Sequence, residues 1–308
     1  MTSISTSTSV PTFSINPWVD LQQIFRYPFM QHAFEAGTIV AIVAGIVGYF
    51  VVLRRSSFAA HALSHIGFSG AAAAVLIGVN PVYGLLAFTS LGGLGIAALG
   101  RRAAQRDVQI GTVLAFMLGL GVLFLSLYKG YAQQAYSILF GEVLGVSPSA
   151  VLLTLVAGVI ILVLIAAVYR PLLFASLDED VAEAKGMPVL LLGVIFMLLV
   201  AVATSFAVQV VGVLLIFALM VTPSATAQML AKRPRQVIII SIAIALLATW
   251  LGLFIGFYTI YPVSFFICAI VFVLYLLVRF VYPKIKPLKT AQIDKPQIEA
   301  NSQLVKSE

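Results

Sequence analysis

Charge is what this chain has least of. Only 9% of its 308 residues are Asp, Glu, Lys or Arg, against 61% hydrophobic. Soluble globular chains carry about 25% charged residues, so this one cannot cover itself with a wet surface, and its mean hydropathy of +1.09 agrees. The lone cysteine, Cys268, excludes an intramolecular disulfide and reads as a small apolar side chain in an apolar run. No Gly-x-x-x-x-Gly-Lys-Ser/Thr phosphate loop is present, so the chain is not expected to hydrolyse ATP. Neither a Gly-x-Ser-x-Gly elbow nor a His-Glu-x-x-His helix occurs, and carboxylates within apolar runs are too few for a rich proton relay. Enzyme readings are therefore poor. Residues Met1 to Asn16 lack the basic start and apolar stretch of a cleavable signal peptide.

What is abundant is long apolar runs. A hydrocarbon layer of about 30 Å needs about 20 apolar residues per helix. The candidates are Ala33–Leu53, Phe58–Val79, Val82–Gly100, Val108–Tyr128, Val151–Val168, Pro188–Val208, Val211–Leu230, Val237–Phe257 and Val263–Val281. The expected fold is all-α, a polytopic transmembrane bundle of about eight or nine spans. Pro188 to Leu230 fits either two spans or one span plus a re-entrant piece.

The net charge of +7 would suggest nucleic acid in a soluble protein. Here the basic residues fill the gaps between apolar runs, which is the positive-inside pattern, so no nucleic acid is expected. Arg54/Arg55, Arg101/Arg102/Arg106, Arg170, Lys232/Arg233/Arg235 and Arg279 onward all become cytoplasmic if the N-terminus is outside and the crossings are odd in number. Only Arg26 and Lys129 then lie outside. The chain divides into an extracytoplasmic N-terminal tail and interfacial segment (1–32), a membrane domain (33–282) and a polar, disordered cytoplasmic tail (283–308). Trp18, Phe25, Tyr27 and Phe29 anchor the interfacial piece, Asn16–Gln31.

Three stretches carry chemistry. In the first, His61 and His65 stand at i and i+4 and share one helix face. Neutral imidazole is a common ligand for divalent metals, and ionisable groups at membrane depth are functional candidates. The same pair could instead hydrogen-bond neighbouring helices. Downstream, Gly67, Gly70 and Ala71–Ala74 permit close helix packing. Asp107, beside Arg106, reads either as a helix N-terminal carboxylate or as part of a path. In the second stretch, Ser176 or Asp178 can cap a short helix. Glu179 and Asp180 fill its first turn, Glu183 follows, Lys185 lies near its end, and Gly186 and Pro188 terminate it. Such a segment is either an ordinary loop helix or one sized to dock into a partner's groove. In the third, Thr222-Pro223-Ser224 inside an apolar run frees backbone carbonyls and predicts a kink or break, which occurs both at transport sites and for packing.

These stretches, in this order, resemble the permease family of ABC-type manganese, zinc and iron importers. Residues 50 to 68 look like that family's first loop and second helix. Asp107 with Ile110-Gly111, the run Leu139-Phe140-Gly141-Glu142-Val143-Leu144-Gly145, Asp178 through Gly186-Met187-Pro188, and Val211 through Ala227 also fit its pattern. The resemblance spans residues 33 to 282.

The resemblance implies a homodimeric, multi-pass permease in the cell membrane. It would work with cytoplasmic ABC ATPase subunits that use the ATP and with an extracytoplasmic solute-binding protein that delivers the metal. No permanently bound cofactor is implied, only a transported divalent ion, zinc or manganese. His61 and His65 would be transient ligands on the path, with Asp107, Thr222 and Ser224 as further candidates. Asp178, Glu179, Glu183, Lys185 and Gly186 would form the helix that couples to the ATPase. His65 matches a family histidine. His61 stands where many members carry Asp, and His/His is softer than Asp/His, which shifts preference from manganese toward zinc. The competing class is an ion-gradient-driven secondary transporter of metal or small solute; a non-transporting membrane scaffold is the third.

Overall fold

The computed structural model describes residues 22–98, 103–128, 141, 144–259 and 261–285. The Ser/Thr-rich start with Trp18, the residues Arg101, Arg102 and Lys129, most of Leu139–Gly145 and the tail beyond Ile285 lie outside them. The described residues form ten helices: α1 (Pro28–Leu53), α2 (Ser57–Leu76), α3 (Pro81–Ala98), α4 (Ala103–Leu127), α5 (Pro148–Leu177), α6 (Glu179–Ala184), α7 (Val189–Val211), α8 (Val213–Leu230), α9 (Pro234–Phe257) and α10 (Val263–Ile285). All but α6 are long and apolar enough to cross a bilayer, giving nine candidate spans among the described residues.

The starts follow from local chemistry. Pro28, Pro148 and Pro234 occupy the first helical turn of α1, α5 and α9, where a missing N–H costs nothing. Pro28 moves the start of α1 five residues ahead of the apolar run at Ala33. The α5 helix also outruns its expectation, continuing from Val168 past Arg170 and Pro171 to Leu177. Leu172 and Ala175 are fully buried on that extension, so packing offsets the hydrogen bond that Pro171 cannot donate.

The stretch left open in the sequence resolves into two helices. Gly212 breaks it, with φ +83° and ψ 164°, a combination open almost only to glycine. Pro223 does not break the chain: α8 runs through it from Val213 to Leu230. The break between the two helices therefore lies at Gly212, just past the gap expected between Val208 and Val211, and Thr222-Pro223-Ser224 does not interrupt the chain. With 23 and 18 residues, α7 and α8 are about 34 and 27 Å long.

Packing contacts give their direction. A side chain at Gly37 would meet Thr249, and one at Gly45 would meet Ile242, so α9 runs antiparallel to α1. The start of α9, and with it the end of α8, therefore lies at the Arg54 end of α1. The start of α7 lies there too, because Gly193 adjoins the Arg54 guanidinium. Residues 189–230 thus go out and come back, which preserves the odd number of crossings that the basic clusters require.

The bundle has an inside and an outside. In α2 and α1, 78% and 67% of the span is buried, against 11% in α4 and 17% in α10. Hydroxyl pairs join the inner helices where lipid offers no hydrogen bonds: Thr89 with Ser205 at 2.6 Å and Ser224 with Ser241 at 2.7 Å, Ser241 also donating to the Gly45 carbonyl at 3.1 Å. The Ser69 hydroxyl likewise donates to the Met117 carbonyl, tying α2 to α4.

Candidate functional site

The most buried span, α2, is the one that carries the two histidines. Its i, i+4 spacing does place them together: the rings of His61 and His65 lie 4.6 Å apart, edge to face. His61 also meets Phe217 of α8 at 4.7 Å, so this face of α2 fronts the helix that follows Gly212. Both imidazoles are half-buried, and the Nδ1 atom of each is shielded from solvent without a hydrogen-bond partner. An unpartnered buried nitrogen is costly. Neither Nδ1 bonds to a neighbouring helix. A divalent cation would satisfy such lone pairs. Among the described residues no third His, Cys, Asp or Glu joins them in a metal-binding group.

The other path candidates separate. Ser224 is fully buried and bonded to Ser241 and the Gly45 carbonyl, a junction of α1, α8 and α9. The Thr222 carbonyl accepts from the Thr226 hydroxyl at 2.8 Å within α8. Asp107 lies at the Arg54 end of the bundle, lining a cavity of about 490 Å³ with Arg54, Arg55, Ser176, Glu179 and Gly193. None of the three is among the ring contacts of the histidine pair.

The short charged helix forms as its sequence directs. The Asp178 carboxylate accepts from the Val181 N–H at 3.0 Å, so Asp178 is the cap and Ser176 belongs to the last turn of α5. Glu179 and Asp180 occupy the first turn, where they oppose the helix dipole. Gly186, at φ +78°, reverses the chain after Lys185, and the Lys185 ammonium rests 4.9 Å from the Phe174 ring centre. Ala182 is buried beneath the helix, while Glu183 points outward from it. One contact was not foreseeable from spacing: Arg54 reaches from the end of α1 to the Glu179 carboxylate at 3.2 Å and the Ser176 hydroxyl at 3.3 Å. Complementary charge was the only signal for it, across a sequence separation of 125 residues. Phe217, the aromatic neighbour of His61, carried no signal beyond its place in an apolar run.

Among the described residues, a helical bundle with nine candidate spans, basic residues gathered at one end and a capped polar helix seated among them defines a multi-pass permease of the cell membrane. Residues 26–282 match the ABC 3 transport family, and the chain belongs to that family. The Manganese import system permease protein ScaB of Streptococcus parasanguinis is 32% identical over 278 residues, covering 90% of this chain and 98% of the relative. The Manganese transport system membrane protein MntC of Listeria monocytogenes is 32% identical over 238 residues, 77% of this chain and 85% of the relative. The solved structure of PsaBC from Streptococcus pneumoniae in complex with Fab matches with a TM-score of 0.78 at 30% identity, covering 88% of this chain and 100% of that one. Family membership decides for an ABC-type permease over the gradient-driven transporter and the scaffold.

Proposed function

We propose that this permease carries a divalent metal ion, manganese or zinc, into the cell along a path that includes His61 and His65. The observation that supports the reading most is the pair of adjacent imidazoles on the central helix, each with a buried Nδ1 lacking a partner. The relatives named for manganese transport support the same class of cargo. Two imidazoles without a carboxylate pull toward zinc on ligand softness, and the relatives pull toward manganese. Two protein ligands per chain hold an ion weakly enough for release, and a second copy in a homodimer doubles them.

In this reading ATP is hydrolysed by separate cytoplasmic ABC ATPase subunits, which seat on α6 through Asp178–Gly186, and an extracytoplasmic solute-binding protein delivers the ion. Residues 1–32 face outward and 283–308 face the cytoplasm. Alternating access opens the bundle first to one side and then to the other, with movement of α6 as the link to ATP.

The test is reconstitution of the chain with a cytoplasmic ABC ATPase subunit from the same organism into proteoliposomes, followed by competition between labelled manganese and zinc. ATP-dependent uptake of either metal supports the proposal, and the one that wins names the cargo. Uptake that proceeds without any ATPase, or carries neither metal, contradicts it.

A further inference from the structure

Arg54 sits at a junction that neither the histidine pair nor the docking helix explains by itself. Its side chain is only 10% exposed, although it carries a full charge at the end of a membrane helix. Four helices meet on it. It closes α1, donates to Ser176 at the end of α5, pairs with Glu179 in the first turn of α6, and lies 5.4 Å from the ring centre of Phe196 in α7. Gly193, one turn before Phe196, lies beside the guanidinium. Planar charge, two donor directions and a stacking face are all in use, which is an arginine's set of contacts and not a lysine's.

The backbone beyond Arg54 is stiff. The turn to α2 takes three residues and is closed by hydrogen bonds from the N–H groups of Arg54, Arg55 and Ser56 back to Phe50, Val52 and Val51, at 2.9 to 3.1 Å. Arg55 holds φ at +51° to reverse the chain, a conformation an L-residue keeps only when its surroundings fix it. His61 follows one turn into α2. A displacement of α6 therefore has a short mechanical route to the histidine pair: Glu179, Arg54, the closed turn, α2.

We infer that Arg54 is the positioning residue that ties the docking helix to the metal path, so that movement of α6 moves α2. This rests on the reading of α6 as the ATPase-docking helix and extends it. The side chain touches neither ion nor nucleotide. Its loss should therefore leave docking and hydrolysis in place and remove only their link to transport.

The experiment uses the full complex with its ATPase in proteoliposomes and reads three quantities: ATPase retained on co-purification, ATP hydrolysed, and metal taken up per ATP. For Arg54→Ala the expected result is retained ATPase, hydrolysis within about twofold of the parent, and uptake per ATP down by on the order of tenfold or more. Arg54→Lys should fall between the two, since it keeps the charge but not the fork. Ser176→Ala, which removes the other partner of the Arg54 side chain at the end of α5 and leaves α6 intact, should lower uptake per ATP in the same direction even if Arg54→Ala fails to assemble. The charge exchange Arg54→Glu with Glu179→Arg should recover part of the coupling. Uptake per ATP unchanged in Ser176→Ala and in any assembled Arg54 variant overturns the inference while leaving α6 as the docking helix. Failure of that underlying reading shows separately, as an ATPase that stays bound when the outward residue Glu183 is replaced by Arg.

Discussion

At the residue scale, the bundle depends on side chains that are missing. At Gly48 a Cβ would be driven into the carbonyl of Met220 and toward the Ser224 hydroxyl, 2.7 Å away. The α1 and α8 backbones touch there, beside the hydroxyl junction of Ser224 and Ser241. Gly48→Val should therefore separate the two helices and cost about 1–3 kcal/mol, the usual range for overpacking. Thermal unfolding in detergent should show a clear drop in midpoint. Gly119→Ala is the internal control: nothing lies within 4 Å of a Cβ at that position, and its midpoint should not fall. An unchanged Gly48→Val would mean that α1 and α8 are not in backbone contact.

At the scale of single elements, α6 is the most exposed to a point change. Six residues are too few to hold a helix in water by hydrogen bonding alone, so its ends decide whether it forms. Asp178 caps one end and Gly186 closes the other. Asp178→Ala removes a cap worth about 1 kcal/mol and should reduce the ATPase recovered on co-purification. Asp178→Asn keeps an oxygen acceptor and should recover it. Equal losses in both variants would show that the charge matters and the cap does not.

The same elements show what a sequence can and cannot convey. The spans were legible because each is an unbroken apolar run of about bilayer length, and α6 was legible because capping is local: Asp178, the acidic first turn and Gly186 lie within nine positions. Run length placed the join between α7 and α8 close to Gly212, whereas Thr222-Pro223-Ser224, the other candidate for a break, stays within a helix. Pro223 stays helical because the helices around it are close and bonded, whereas Gly212 alone supplies the φ that the chain reversal needs. The histidine pair was legible as an i, i+4 spacing, but its neighbour Phe217 was not. Asp107 read as a helix N-terminal carboxylate or a path residue, and it lines a cavity with Arg54 and Glu179, an association between segments far apart in the chain.

At the scale of the whole molecule, the burial gradient and the chemistry agree. The helices with the most exposed apolar surface, α4 and α10, can face lipid, and the most enclosed one carries the imidazoles. The described basic residues at the ends of α1 and α8, the capped helix and the Arg54 junction share one end, which in the proposed reading is cytoplasmic, with the ion's ligands within the bundle. The central claim is that His61 and His65 are those ligands. Its most direct test is uptake by the reconstituted complex with His61→Ala and His65→Ala combined. Uptake should fall by about 10- to 100-fold or more, since even partners of metal ligands cost that much when lost, with assembly and ATP hydrolysis retained. Uptake at the parent's rate in that double variant would contradict it.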